Sequence, residues 1–148
     1  MATFIALGFG AGNLPYSPGT AGAVIGVPLA LLLHPFNGVV QTASLAALVG
    51  FGVWICGVAS RQLQHDDHPA IVFDETLGAL LVFLLTPTSF ISWTVGLVAF
   101  RFFDIVKPWP IRLVQSEVSG GLGIVADDLA ASIPSIAVVW LLALVFKI

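Results

Sequence analysis

Long apolar runs separated by short polar breaks organise this chain, and the runs read as helices. Ala21–His34 contains Pro28 and reaches only ~20 Å as a helix. His34-Pro-Phe-Asn-Gly38 reads as a turn. Val39–Ser60 gives 22 residues without a charge, the one clear full-length membrane span. Its glycines at 50, 52 and 57 suit close contact with another helix. Arg61–Phe73 is a polar break, after which Thr76–Leu85 and Phe90–Phe103 flank Thr86-Pro-Thr-Ser89. Leu113–Val118 is a short connection, and Leu129–Phe146 a last apolar helix kinked by Pro134. The pattern predicts an all-α, membrane-embedded multihelical bundle of four to five apolar helices, one domain over residues 1–148.

The segment 76–103 decides the topology. It is either one interrupted span or a short helical hairpin turning at Pro87. A hairpin returns Asp104 to the side that holds the N-terminal loop and Asp74-Glu75. It also gathers Arg61, Arg101, Lys107 and Arg112 there, leaving Lys147 across. By the positive-inside rule that side is cytoplasmic. The hairpin is the expectation, although its helices are too short to cross a ~30 Å core independently.

Composition narrows the class. Apolar residues make up 58%, charged residues 9%, and mean hydropathy is +1.05. About 25% charge is usual for a soluble domain, so this chain is expected in a bilayer. A net charge of −3 leaves no basic footprint for nucleic acid. Cys56 is the only cysteine, which excludes an intrachain disulfide and a zinc–cysteine cluster.

The polar breaks hold the candidate chemistry. Gly8-Phe-Gly-Ala-Gly12 and Pro15-Tyr-Ser-Pro-Gly-Thr20 form a glycine- and proline-rich start, in which Thr20 is a candidate helix cap and phosphate contact, or a plain turn residue. His65, Asp66, Asp67 and His68 raise a metal suspicion but read better as a solvated loop. Asp74-Glu75 stands at the mouth of an apolar helix, where paired acids suit a cation, with Asp74 as a plain cap the alternative. Arg101, Asp104 and Lys107 are spaced to form a ladder along one helix face before Pro108-Trp-Pro110. A membrane-interface anchor accounts for Trp109 and Arg112, but poorly for Asp104. Asp127-Asp128 repeats the paired-acid pattern after Gly120-Gly-Leu-Gly123; neighbours on a helix diverge by ~100°, so one ligand and one supporting partner are expected.

Asp74, Glu75, Asp104, Asp127 and Asp128 then open onto one side with Arg101 and Lys107 among them. Carboxylates without thiolates suit a hard cation, Mg²⁺ first, and the neighbouring cations suit a phosphate. The apolar bundle points to a lipid phosphate. Cys56 and Arg61 are one residue too close for the cysteine-phosphatase loop, and no Asp-x-Asp-x-Thr segment occurs.

The blocks Gly8-Phe-Gly…Pro18-Gly-Thr-Ala-Gly22, His68…Phe73-Asp-Glu-Thr-Leu-Gly78, Arg101-Phe-Phe-Asp104…Lys107-Pro-Trp-Pro-Ile-Arg112 and Gly120-Gly-Leu-Gly-Ile…Asp127-Asp128 resemble, in order, the phosphatidylglycerophosphatase A family. The resemblance covers nearly the whole chain. It implies a multihelical fold around a central helix and a Mg²⁺-dependent enzyme of the bacterial inner membrane, acting in phospholipid biosynthesis. It implies hydrolysis of phosphatidylglycerophosphate to phosphatidylglycerol and inorganic phosphate. By motif position, Asp74, Glu75, Asp104, Asp127 and Asp128 inherit the acidic, metal-holding site, with Asp74, Asp104, Lys107 and Asp127 as catalytic candidates. Thr20, Arg101 and Lys107 are the phosphate-binding candidates. A small ion-binding or transport protein and a Mg²⁺-dependent headgroup phosphotransferase stay open as alternatives.

Overall fold

The structure, a computed structural model, describes residues 1–65 and 68–146. Asp66, Asp67 and Lys147, each named above, lie outside the described residues. Among these residues there are seven α-helices and no strand. A short helix α1 (Ala2–Ala6) and a 3₁₀ segment (Gly8–Asn13) precede α2 (Pro18–Leu33) and α3 (Gly38–Leu63). Then come α4 (Phe73–Leu85), α5 (Phe90–Val106), α6 (Ile111–Glu117) and α7 (Gly120–Phe146).

Local chemistry sets several of these boundaries. Pro18 opens α2, where its missing N–H costs nothing and its φ is already helical. Asn37 caps α3 by accepting from the Val40 N–H at 3.0 Å, and Ser89 caps α5 by accepting from Ser92 N–H at 3.0 Å. Two expectations and one alternative need correction. Residue 113 onward is not a plain connection, because Ile111 is buried and anchors the short helix α6. The last helix begins at Gly120 rather than Leu129, so Gly121 and Gly123 lie within it. Asp74 is not a cap: Val72 takes that position and both acids sit in the first turn of α4.

The hairpin expected over 76–103 is present as α4 and α5 over 73–106. Arg101, near the end of α5, lies 3.5 Å from Glu75 at the start of α4, so the two helices are antiparallel. α4 is the central helix, with nine of its thirteen residues buried between its neighbours. Thr76 Oγ1 donates to Gly22 O at 2.8 Å, tying α4 to α2, and Ser132 Oγ donates to Gly78 O at 2.8 Å, tying α7 to α4. Such interhelical bonds in a membrane average ~0.6 kcal/mol, so they fix register more than they supply stability. Close packing brings α3 and α7 together: a Cβ on Gly57 would meet Gly121 backbone at 3.4 Å. Gly50, by contrast, faces open space and makes no such contact.

α3 and α7 are long and apolar enough to cross a membrane, with mean hydropathies of 1.9 and 2.4 in their spanning windows. Only 28% and 22% of those windows are buried inside the protein, so their apolar side chains face outward. Leu31, Leu32, Val98, Leu141 and Leu144 add to that outward surface. A water-soluble protein would bury this surface, so the chain is a membrane protein. At one end lie the starts of α2, α4 and α7 and the ends of α3 and α5. At the other end His34 meets Thr88, with Nε2 and Oγ1 3.1 Å apart, and Trp140 Nε1 donates to Leu85 O.

Candidate active site

The end that gathers the helix starts also gathers the charges. Asp74 and Glu75 occupy the first turn of α4, where the helix dipole favours negative charge. Asp127 and Asp128 lie two turns into α7, and Arg101 and Asp104 in the last turns of α5. Together with Lys107 they line one cleft of about 240 Å³, closed by Ser17, Pro18 and Gly19 of α2 and by Pro69 and Ile71. That volume is below the ~300–1,000 Å³ of most small-molecule sites. It suits a phosphate group with its counter-ions, and not a whole lipid.

Within the cleft the acids divide into two sets. Asp74, Glu75 and Asp128 each bring one carboxylate oxygen within 4.8 Å of the others. Asp104 and Asp127 lie outside that convergence and are held by cations, one of which also reaches Glu75. Arg101 lies 2.5 Å from Asp104 and 3.5 Å from Glu75, bridging the two. Lys107 Nζ donates to Asp127 Oδ2. Three of the five acids predicted to hold a metal therefore converge, and the other two serve the cations. Asp127 and Asp128 diverge as adjacent helical residues do, whereas Asp74 and Glu75 both reach the same cluster.

The predicted cation–anion–cation ladder on one helix is half correct. Arg101 and Asp104 pair as i and i+3. The helix ends at Val106, and Lys107 adopts the left-handed conformation (φ 43), its N–H donating to Phe103 O at 2.9 Å. That turn takes Lys107 off the Asp104 face and toward α7. The capping expectation for Thr20 is corrected in the same way. Ser17 is the cap residue of α2, and Thr20 N–H donates to Ser17 O at 3.0 Å. Gly19, which sequence reasoning passed over, is the residue of α2 against the ion pair. A Cβ there would run into Glu75 Oε1 and into the Arg101 guanidinium, at 2.7 Å from Nη1. Pro18-Gly19 marks the helix start in the sequence, whereas Thr20 merely has a side chain of the capping type. His68 stays outside the cleft and accepts the Ala70 N–H at its Nδ1.

Five carboxylates around two cations leave an excess of three formal negative charges in a mostly buried cleft. Several kcal/mol oppose each buried uncompensated ion, an opposition that a cation bound among the acids would relieve. The donor set is oxygen only. Glu75 Oε2 and Asp128 Oδ2 are buried and accept no hydrogen bond among the described residues. These features fit a hard divalent cation.

Comparison with known proteins gives the family. The family model described as phosphatidylglycerophosphatase A matches residues 4–143. A protein of that name from Escherichia coli is 35% identical over 139 residues, covering 92% of this chain and 80% of its own length. Its namesake from Haemophilus influenzae is 36% identical, covering 92% of this chain and 85% of its own. A Bacteroides thetaiotaomicron protein provisionally named phosphatidylinositol-3-phosphatase is 34% identical, covering 91% of this chain and 89% of its own. No solved structure matches the chain. The matched span holds every charged residue that lines the cleft, and on that extent the chain belongs to the phosphatidylglycerophosphatase A family.

Proposed function

We propose that this protein is a Mg²⁺-dependent lipid phosphatase of phospholipid biosynthesis, hydrolysing phosphatidylglycerophosphate to phosphatidylglycerol and inorganic phosphate. The observation that carries the reading is the convergence of three carboxylates within 4.8 Å, beside Arg101 and Lys107, at one end of an apolar bundle. The names borne by the two relatives at 35% and 36% identity support the choice of headgroup. The charged end is assigned to the cytoplasmic side of a bacterial inner membrane, because Arg61, Arg101, Lys107 and Arg112 collect there.

Asp74, Glu75 and Asp128 are the residues to hold Mg²⁺, with Asp104 and Asp127 close enough in the cleft to support them. Mg²⁺ bound there supplies charge stabilisation to the phosphate oxygens. The rest of the work falls to the chain. Arg101 and Lys107 neutralise the phosphate, which competes with Asp104 and Glu75 for the first and with Asp127 for the second. In the reaction a water oxygen bonds to phosphorus and the phosphate–glycerol P–O bond breaks. The water gives up a proton, and the departing glycerol oxygen takes one up. Asp127 and Asp104, released by that exchange of partners, are the groups placed to carry the proton.

The test is phosphate release by purified protein from phosphatidylglycerophosphate, with and without Mg²⁺. Magnesium-dependent release is expected. Release from phosphatidylinositol 3-phosphate alone would reassign the headgroup, and transfer of phosphate to an acceptor other than water would make the protein a phosphotransferase.

A further inference from the structure

α5 presents two faces of different chemistry. Arg101 and Asp104 turn into the cleft. Val95, Val98, Ala99, Phe102 and Phe103 line a separate groove that Val138 of α7 borders. The groove has a volume of about 470 Å³ against about 240 Å³ for the cleft. Its one polar lining residue, Thr94, donates its hydroxyl to Phe90 O at 2.7 Å and so offers the groove no donor. Val98 and Phe102 are 65% and 56% exposed, so the groove opens outward. It follows the helix from Thr94 to Phe103, ~14 Å at 1.5 Å per residue. Its upper end shares a helical turn with Arg101 and Asp104.

We infer that this groove seats one acyl chain of the lipid whose phosphate enters the cleft, and thereby sets acyl-chain preference. The inference rests on the lipid-phosphatase reading. Continuity identifies the occupant: the cleft is too small for more than the phosphate end. The apolar part of a lipid held at Arg101 lies outside it, beside α5. The phosphodiester and glycerol units between reacting phosphate and acyl chains span the polar turn that separates the two hollows. Bilayer tails are as apolar as this groove, so seating a chain gains nothing from the hydrophobic effect and depends on packing fit. Recognition of that kind appears as discrimination between chains, not as raw affinity.

The experiment compares kcat/KM for dioleoyl and dihexanoyl forms of the same phospholipid in mixed micelles. Val98→Trp fills the groove from its exposed side and is expected to lower the long-to-short ratio about tenfold, the low end for a steric mismatch in an apolar pocket. Retained activity on the short lipid shows that the cleft is intact. Leu144→Trp, at an outward position on α7, is the control and should leave the ratio unchanged. An unchanged ratio in Val98→Trp overturns the inference. So does equal loss on both lipids in Val98→Trp and the milder Val98→Leu, and a shift in oligomeric state alongside would make the groove a subunit contact. Parent protein inactive on both lipids sinks the phosphatase reading and the groove assignment with it.

Discussion

Lys107 donates from Nζ to Asp127 Oδ2, joining the end of α5 to α7 across the mouth of the cleft. The Asp127 side chain is 5% exposed and that of Lys107 21%, so the bond lies largely out of water. Removing one partner strands a buried charge, at a cost of about 3–5 kcal/mol. Lys107→Met is therefore expected to lower both Tm and activity. Lys107→Met with Asp127→Asn should regain most of the Tm and none of the activity. If the double variant recovers turnover as well, the pair is structural only.

Metal binding has a readout independent of turnover. Magnesium at 100 times its Kd would stabilise the folded protein by about 2.7 kcal/mol. A rise in Tm with added Mg²⁺ is expected in the parent and not in Asp128→Asn. Because Asn removes a buried charge, that variant should melt no earlier than the parent in chelator. Phosphate release should stop on exhaustive chelation and return with Mg²⁺. Activity that persists without metal would refute the requirement.

Asp104 separates a structural from a catalytic reading. Were its bond to Arg101 only structural, Asp104→Asn would lower Tm, because both side chains are largely buried, and leave turnover intact. As part of the reacting set, its loss is expected to lower kcat on the order of 10²-fold with the fold preserved. Asp74→Asn should behave alike, and His65→Ala should stay within a few-fold of the parent. Near-parental turnover by well-folded Asp104→Asn removes it from the set.

Gly19 is the tightest point of the site. Alanine there forces Arg101 or Glu75 to move, because the added carbon occupies the space of their ion pair. A displacement of ~1 Å in a catalytic group can cost on the order of 10²-fold. Gly19→Ala is expected to lose activity with little change in Tm, as the helix itself favours alanine. A fully active Gly19→Ala protein would show that Arg101 need not hold its observed position.

The hairpin fixes which loops share a side. In a Cys56→Ala background, single cysteines at Asn13 and Glu117 should label from the cytoplasm and one at Thr88 from the opposite face. Label reaching Asn13 and Thr88 from the same side contradicts the fold. Label reaching Asn13 and Glu117 from outside alone inverts only the orientation.

Much of this architecture could be read from the chain, and the misses share a cause. The hairpin was legible because charge at both ends of 74–107 made sense only if the ends met. The start of α7 was not, because glycines at 120, 121 and 123 score as loop residues. Here Gly120 takes a left-handed φ of 69 at the helix start, Gly121 and Gly123 lie within the helix, and Gly121 must be small where it passes Gly57 of α3. That is a tertiary contact with no local signature. The Lys107–Asp127 bond was hidden for a similar reason. Spacing placed Lys107 on the Asp104 face, but one left-handed residue at the helix end sends it elsewhere. The five acids were all visible; their division into a converging three and a cation-bound two needed the geometry of α5 against α4 and α7.

α4 has thirteen residues, ~20 Å of helix, whereas α3 has 26 and continues past the level of Asp74. The acids therefore sit recessed below the end of α3, on a helix shorter than a ~30 Å hydrocarbon core. For the proposed hydrolysis this means that a substrate need not be lifted out of its leaflet to react. The two products then part by phase: the diacyl product diffuses away laterally among its neighbours, and orthophosphate leaves upward into the cytosol.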